Sequence, residues 1–145
     1  MDLIENIQLV RKDGTQVSSS EVFSKQLIGF YFGAGWCAPC RIFTTLLADA
    51  YNQIKRDGHE FEIIYVSSDQ NVQKFQSYFS ELHGDWLAIP FRHEAIKALR
   101  QRFRIKGVPV LVIIRTDGTV ITDEGRADIQ AKGVHAFEHW ISQAK

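Results

Sequence analysis

The sequence predicts an α/β fold in which helices cover both faces of a central mixed sheet. Short apolar runs, typical of strands buried on both faces, alternate with segments whose apolar residues recur at helical spacing. Asp-Gly pairs at 13–14 and 117–118, each between apolar or β-branched residues, predict two hairpins. The 145 residues suit a single domain, 1–145, that is large enough to bury its own core.

The first half of the chain is predicted to form the N-terminal hairpin and the middle of the sheet. The hairpin spans 10–17, and the nearly continuous apolar run at 26–34 is expected to be a buried strand. Between 41 and 55, seven apolar residues at helical spacing form one broad stripe, which predicts an amphipathic helix. The segment 61–66 is predicted to be a second buried strand.

The second half is predicted to complete the helical layers and the sheet. Helices are expected at 72–84, where a glycine ends the helix, and at 94–103. A strand at 108–115 leads through the second hairpin into a strand at 119–124, and a helix at 132–144 closes the chain. Helices between buried strands imply crossover connections, so we expect three layers with antiparallel strands added by the hairpins.

Composition and charge argue against two classes of partner. Seventeen basic residues balance seventeen acidic ones, so no basic field exists to gather the phosphates of a nucleic acid. The nearest approach to a basic patch alternates with apolar residues and is interpreted as a solvated face: Arg100, Arg102, Arg104 and Lys106. No run approaches 18 apolar residues, which predicts no membrane span. With no signal-like N-terminus and only two cysteines, we expect a protein of the reducing cytoplasm.

Both cysteines lie in the stretch GWCAPCR, at 35–41, after a predicted strand and at the start of a predicted helix. At such a position the free N–H groups and the helix dipole favour the thiolate of Cys37, which is the nucleophilic form of a thiol. Cys40 lies one turn further along, on the same side and near enough to close a disulfide. Pro39 suits an early helical position, where its missing N–H has no partner. This pattern indicates a redox-active dithiol.

The cysteine pair has two other interpretations, a structural zinc site and a pair of inert thiols. A structural zinc site usually has four ligands, and the two cysteines would need His135 and His139 from the last predicted helix. Nothing in the pattern brings that helix to the cysteines, so no metal is predicted. The second alternative is a pair of inert cysteines, which the strand–Cys-x-x-Cys–helix arrangement makes less favoured than the redox pair.

A proline marks the start of a later strand. Pro109 must lie at the beginning of the buried strand 108–115, because a proline inside a central strand would break its ladder. If the preceding peptide bond is cis, the backbone of Val108 is exposed to a passing peptide; if it is trans, Pro109 is an ordinary edge proline. The residues alone leave both possibilities open.

Together, WCAPC after one strand and GVP before another resemble the thioredoxin superfamily. The stretches FYFGAGWCAPCRIFTTLL, FEIIYVSSD and WLAIPF resemble in particular its tryparedoxin and nucleoredoxin branch. The resemblance implies a thioredoxin-like fold, with Cys37 as the attacking thiol, Cys40 as the resolving thiol and Pro109 as a cis-proline beside them.

The resemblance also implies a function, that of a thiol–disulfide oxidoreductase that reduces protein disulfides without a cofactor. Its reductant would be a thioredoxin reductase or the glutathione system. Trp36 and Trp86 would form an apolar rim around an exposed Cys37 sulfur, and Val108 would pair with the substrate backbone. For Trp86, packing in the core is the alternative to such a docking role.

One position departs from ordinary thioredoxins, which carry a buried aspartate six residues before the first cysteine. Here that residue is Tyr31, as is usual in the nucleoredoxin branch, so the proton route from Cys40 would pass through Asp69, Glu94 or water. A second function stays open as well. Nucleoredoxin-like proteins are associated with trophic support and redox protection of sensory neurons, which implies a binding or signalling role with vestigial catalysis.

Overall fold

The structure, a computed structural model, describes residues 1–144. Helices cover both faces of one seven-stranded sheet. The strands are β1 Gln8–Val10, β2 Gln16–Ser18, β3 Leu27–Gly33, β4 Phe61–Ser67, β5 Leu87–Ala88, β6 Val110–Arg115 and β7 Val120–Thr122. The α-helices are α1 Ser19–Val22, α2 Ala38–Arg56, α3 Val72–Leu82, α4 Glu94–Arg102, α5 Gly125–Lys132 and α6 Ala136–Gln143.

The sheet has the order β2-β1-β5-β4-β3-β6-β7. β3 is parallel to β4 and β4 to β5, whereas β6 is antiparallel to β3 and the outer pairs are also antiparallel. The predicted α/β class, the mixed sheet and the N-terminal hairpin are therefore confirmed.

Both faces of the central strands are buried, as their unbroken apolar sequences predict. Every residue of β3 and β4 is buried, and successive side chains point to opposite faces. On one face Tyr31 packs in a core that includes side chains of α2, α3, α5 and α6. On the other face Phe30 and Phe32 pack with side chains of α1, α4 and the N-terminal segment. The sheet is thus the middle of three layers.

The long helix α2 differs from its predicted apolar stripe. Phe43, Leu47 and Ile54 are buried against the sheet, as a helix with a single core-facing side requires. Ile42 and Leu46, which belong to the predicted stripe, are instead 68% and 44% exposed. The apolar stripe is therefore wider than the surface that the sheet covers.

The closing region also differs from the prediction. The single helix expected at 132–144 is preceded by α5, and a 3-10 turn at Gly133–His135 separates α5 from α6. Gly133 has a φ of 55°, a left-handed conformation that ends a helix. Only two residues of α5, Gly125 and Ile129, are buried, so its sequence shows little helical periodicity. The short elements α1 and β5 were not predicted, and α3 ends at Leu82 instead of at a glycine.

Strand pairing brings four segments to one edge of the sheet. β3 and β4 end together, because Gly33 pairs with Ser67 in a parallel ladder. β6 runs the opposite way, so its first residue, Val110, pairs with Phe32 at that same edge. β7 runs antiparallel to β6 toward that edge, and its last residue, Thr122, pairs with Ile113. The loops after β3 and β4, the approach to β6 and the start of α5 consequently lie close together.

Within residues 1–144, no helix has the length and apolar character that crossing a membrane requires.

The contact between α5 and β6 leads to a test of the fold. A Cβ added at Gly125 would lie 2.8 Å from the carbonyl oxygen of Leu111, a backbone atom that cannot easily move aside. We expect Gly125→Ala to lower the free energy of unfolding by about 1–3 kcal/mol, as over-packing does. Urea denaturation measures this, with Gly107→Ala as the control, since a Cβ there meets nothing within 4 Å. Equal effects of the two substitutions would contradict the prediction.

Candidate active site

The two cysteines lie at the start of α2, at the sheet edge where the four segments meet. Cys37 is the N-cap of α2, and its Sγ accepts a hydrogen bond from the backbone N–H of Cys40 at 3.2 Å. Both are free thiols. Cys37 is 6% exposed and Cys40 is fully buried, so the sulfur expected to be exposed presents only a small accessible area. The difference still leaves Cys37 as the more accessible of the two residues.

Burial affects the chemistry of the inner thiol. It raises the pKa of Cys40 to about 12, with a smaller contribution in the same direction from the hydrogen bond to Cys37. The positive charge of Arg126, at the start of α5, opposes this rise. Cys40 therefore remains a protonated thiol at neutral pH in the reduced protein.

The approach to β6 covers the sulfur atoms from the side. The Val108–Pro109 peptide bond is cis. The carbonyl oxygen of Val108 lies 3.8 Å from the Sγ of Cys37, and the Val108 side chain packs against both cysteines and Ala34. Because the ladder with β3 reaches only to Val110, Val108 lies just outside the sheet.

The two tryptophans predicted to form a rim have different environments. Trp36 is 58% exposed beside Cys37, and its indole N–H donates to the carbonyl oxygen of Ser68 at 3.0 Å. Trp86 is fully buried, and its indole N–H donates to Nδ1 of His83 at 2.9 Å. Its ring packs edge-on against Tyr51, 5.4 Å between centroids. The predicted rim position of Trp86 is therefore wrong, because its large apolar ring is part of the core.

The loop that carries Trp36 is held by one carboxylate. Asp69 accepts hydrogen bonds from the backbone N–H of Gly35 at 2.7 Å, the hydroxyl of Tyr65 at 2.7 Å and the hydroxyl of Ser67 at 2.6 Å. The sequence suggested Asp69 only as a proton carrier. Its three hydrogen bonds instead tie the end of β4 to the loop after β3. Glu94, the other suggested carrier, is exposed in the first turn of α4.

Tyr31 occupies the position of the usual aspartate and belongs to a buried group of hydroxyls. It donates to the carbonyl oxygen of Cys40 at 3.1 Å and lies 2.7 Å from the hydroxyl of Thr44. The Thr44 hydroxyl donates to the same carbonyl at 2.7 Å and lies 2.6 Å from the hydroxyl of Tyr78. Burial raises the pKa of Tyr31 far above that of a free phenol. These hydroxyls thus anchor the first turn of α2 while staying neutral.

The remaining predicted residues are readily placed. Pro39 is exposed in the first turn of α2, where its missing N–H leaves no hydrogen bond unmade. His135 is exposed in the 3-10 turn and His139 is half-buried on α6. Among the residues that the structure describes, no three His, Cys, Asp or Glu side chains are grouped so that they could hold a metal ion.

Comparison with known proteins identifies relatives of this arrangement. The model of the family described as thioredoxin-like matches residues 25–120. Nucleoredoxin of Mus musculus is 41% identical over 122 residues, which are 83% of this chain but only 27% of that protein. The chain thus spans little more than a quarter of that curated relative.

Solved structures match over almost the whole chain. Thioredoxin from Wuchereria bancrofti superposes with a TM-score of 0.84 at 38% identity, over 98% of this chain and 99% of that one. Tryparedoxin I from Crithidia fasciculata superposes with a TM-score of 0.79 at 33% identity, over 90% of this chain and 88% of that one. The predicted thioredoxin-like fold is therefore confirmed.

The three hydrogen bonds by which Asp69 holds the loop after β3, here called the Asp69 clamp, can be tested by removing the carboxylate. We expect Asp69→Ala to lower the free energy of unfolding by about 2–3 kcal/mol, because three donors lose a charged acceptor in a partly buried site. Urea denaturation of the reduced protein measures the loss. Asp123→Ala, which removes an exposed carboxylate, is the matched control. A loss no greater than that of the control would contradict the clamp.

The state of the inner thiol can be tested by alkylation. In Cys37→Ser, which leaves Cys40 as the only thiol, iodoacetamide at pH 8 should modify the folded protein roughly a hundredfold or more slowly than the urea-unfolded protein. Burial both blocks access and raises the pKa of Cys40, so little thiolate forms below strongly alkaline pH. Mass spectrometry follows the reaction. Rates within about tenfold of each other would show that Cys40 is neither shielded nor protonated.

Proposed function

We propose that this chain, which belongs to the thioredoxin-like family and to its nucleoredoxin and tryparedoxin branch, is an oxidoreductase that reduces protein disulfides. The observation that carries the proposal is the asymmetry of the dithiol. Cys37 caps α2 and keeps some accessible surface, whereas Cys40 is fully buried one turn further along. In a dithiol so arranged, the more accessible thiol can attack the substrate and the buried thiol can release it in a second step.

In the first step the thiolate of Cys37 attacks one sulfur of the substrate disulfide. A bond forms between Cys37 and that sulfur, the substrate S–S bond breaks, and the other substrate sulfur leaves as a thiolate that takes up a proton. At the start of α2 the Sγ of Cys37 accepts a hydrogen bond from the Cys40 N–H at 3.2 Å. The product of this step is a mixed disulfide.

In the second step Cys40 gives up its proton to solvent and attacks the Sγ of Cys37, so that a Cys37–Cys40 disulfide forms as the bond between Cys37 and the substrate sulfur breaks. The second substrate sulfur leaves as a thiolate, and the two electrons lost by the dithiol now reside in the reduced substrate. While Cys37 is a thiol or thiolate it raises the pKa of Cys40. In the mixed disulfide Cys37 carries no charge, so this contribution disappears, whereas the backbone hydrogen bond with Ala34 and the weaker effect of the Arg126 charge, which both lower the pKa of Cys40, remain. Cys40 therefore ionises more readily after Cys37 has bonded to the substrate sulfur than before.

The surroundings of Cys37 suit a peptide substrate. Val108 lies beyond the end of the ladder, with its carbonyl oxygen beside the Cys37 sulfur, so an extended peptide can pair with its backbone there. Pro109, immediately before β6, has no N–H donor that would compete for this pairing. Trp36 and Pro39, neighbours of the two cysteines in the chain, are exposed and would offer apolar surface to the same peptide.

The cycle needs a source of electrons for the Cys37–Cys40 disulfide. A thioredoxin reductase or the glutathione system of a reducing compartment such as the cytoplasm would supply them. The alternative function, a binding role in support of sensory neurons, is favoured by no feature of the part of the chain that the structure describes.

Substitution of each cysteine tests the assignment of roles. We expect Cys37→Ser to lower turnover of a model protein disulfide roughly a hundredfold or more, because the attacking sulfur is lost. Cys40→Ser should instead accumulate a mixed disulfide between Cys37 and the substrate, since its resolving sulfur is lost. Reduction kinetics and intact-protein mass spectrometry measure the two effects.

The double variant Cys37→Ser/Cys40→Ser is the control, and it should neither reduce nor trap the substrate. Full reductase activity in Cys37→Ser, or a trapped adduct on Cys40, would reverse the proposed roles. Reduction by the double variant would refute the proposed function.

A further inference from the structure

We propose that a basic patch beside the dithiol, formed by Lys97, Arg100, Arg104 and Lys106, binds acidic residues that flank the disulfide of the substrate protein. The inference rests on the proposed function and adds to it a substrate class. It makes the protein selective for disulfides in acidic surroundings, a property that the two cysteines cannot supply.

Charge is unevenly distributed along this chain. The whole protein has a formal net charge of zero, yet residues 95–116 contain six basic residues and no acidic one. The acidic residues that balance these six positive charges therefore all lie outside this segment. Such segregation produces a local positive field on a neutral protein, and that field attracts oppositely charged partners over about a Debye length.

The structure brings four of these charges together on one surface. Lys97, Arg100, Arg104 and Lys106 line a surface depression of about 390 Å³, whose remaining lining residues are Gln101 and Ile105. Of the four, Lys97, Arg104 and Lys106 are exposed, and none of the four is in a salt bridge within residues 1–144. The solvated face predicted from the sequence is thus a surface depression whose positive charges are not paired in salt bridges within residues 1–144.

Arg102, in the same stretch, shows the contrast. Its guanidinium lies 3.6 Å from a carboxylate oxygen of Asp2 in the N-terminal 3-10 helix, so it does not line the depression. Within residues 1–144 none of the four cations of the basic patch is in a salt bridge, so a partner can supply the carboxylates.

The basic patch is joined to the candidate active site at both ends. The guanidinium of Arg100 donates to the hydroxyl of Ser68 at 3.0 Å, and the carbonyl oxygen of Ser68 accepts the indole N–H of Trp36. Lys106 lies two residues before Val108, whose carbonyl oxygen is beside the Cys37 sulfur. A substrate peptide that pairs with Val108 therefore extends toward the basic patch within a few residues of its own cysteine.

The geometry favours an acidic protein segment over a nucleic acid. A nucleic-acid site usually tracks several phosphates with a long basic groove or stacks bases on exposed aromatic rings. This depression holds four cations, its apolar contact is Ile105, and no aromatic side chain lines it. Carboxylates of Asp or Glu beside a substrate cysteine match its size and its mixture of charge and apolar surface.

The test compares disulfide substrates that differ only in charge. Three peptides with the same disulfide carry three Glu, three Gln or three Lys residues on one flank, and reduction rates are measured at low ionic strength and at about 0.5 M salt. We expect the Glu peptide to react about tenfold faster than the Gln peptide at low salt, and the Lys peptide to be slowest. At high salt the three rates should converge, since screening removes attraction between exposed charges.

Charge reversal localises the effect. Lys97→Glu/Arg104→Glu should abolish the preference for the Glu peptide while leaving the rate for the Gln peptide within about twofold. The matched control Arg56→Glu/Lys132→Glu makes the same change of net charge at exposed positions far from the dithiol in the chain, and should retain the preference. Polyglutamate should inhibit the wild-type protein more than an oligonucleotide with the same number of charges.

The outcomes separate this inference from the proposed function. If the Gln peptide is reduced but the three peptides react equally at low salt, the basic patch does not select substrates and the inference is wrong. Equal loss of preference in both charge-reversal variants, or stronger inhibition by the oligonucleotide, also overturns it. If no peptide is reduced at all, the proposed function fails and the inference fails with it.

Discussion

The hydrogen-bonded pairing of β3 with β4 and β6 is the constraint on which the site depends. Parallel pairing makes β3 and β4 end at the same edge, and antiparallel pairing makes β6 begin there. Residues from three distant parts of the chain, Cys37, Asp69 and Val108, therefore meet without any long loop. A shift of one residue in either ladder would turn every side chain of β3 to the opposite face, and both buried faces resist it.

The inner side of the site is built from neutral groups. A buried carboxylate near the resolving thiol would need a counter-charge or would take up a proton, because burial disfavours its charged form. Tyr31 avoids this cost, since a phenol is neutral and its hydroxyl can satisfy the Cys40 carbonyl together with Thr44. Two effects oppose the rise that burial causes in the pKa of the Cys40 thiol: a backbone hydrogen bond with Ala34 and, more weakly, the positive charge of Arg126. The first turn of α2 is thus anchored by neutral hydroxyls, and burial keeps the pKa of the Cys40 thiol high.

The sequence predicted the parts of this protein that depend on local patterns. The buried strands, the start of α2 at Cys37 and the early helical position of Pro39 follow from periodicity and capping preferences. Positions that are set by tertiary contacts are harder to predict from the sequence. Trp86 is a core residue because His83 and Tyr51 surround it, and neither neighbour is evident from the chain order. The clamp by Asp69 links two loops that are 34 residues apart, so no local pattern indicates it.

Thiol–disulfide exchange by itself discriminates weakly among substrates, because the reacting atoms are three sulfurs and the nearby contacts are to backbone. Selectivity must then come from the surfaces that flank the dithiol, and here the two flanks differ chemically. Trp36 and the exposed Ile42 and Leu46 of α2 present apolar surface, whereas the approach to β6 carries the basic patch. Apolar contact adds affinity without direction, while charge favours one orientation of the bound peptide and rejects basic sequences. For the proposed reductase, a chain with no net charge would gain this discrimination by segregating its charges, and the segment 95–116 has six basic residues and no acidic one.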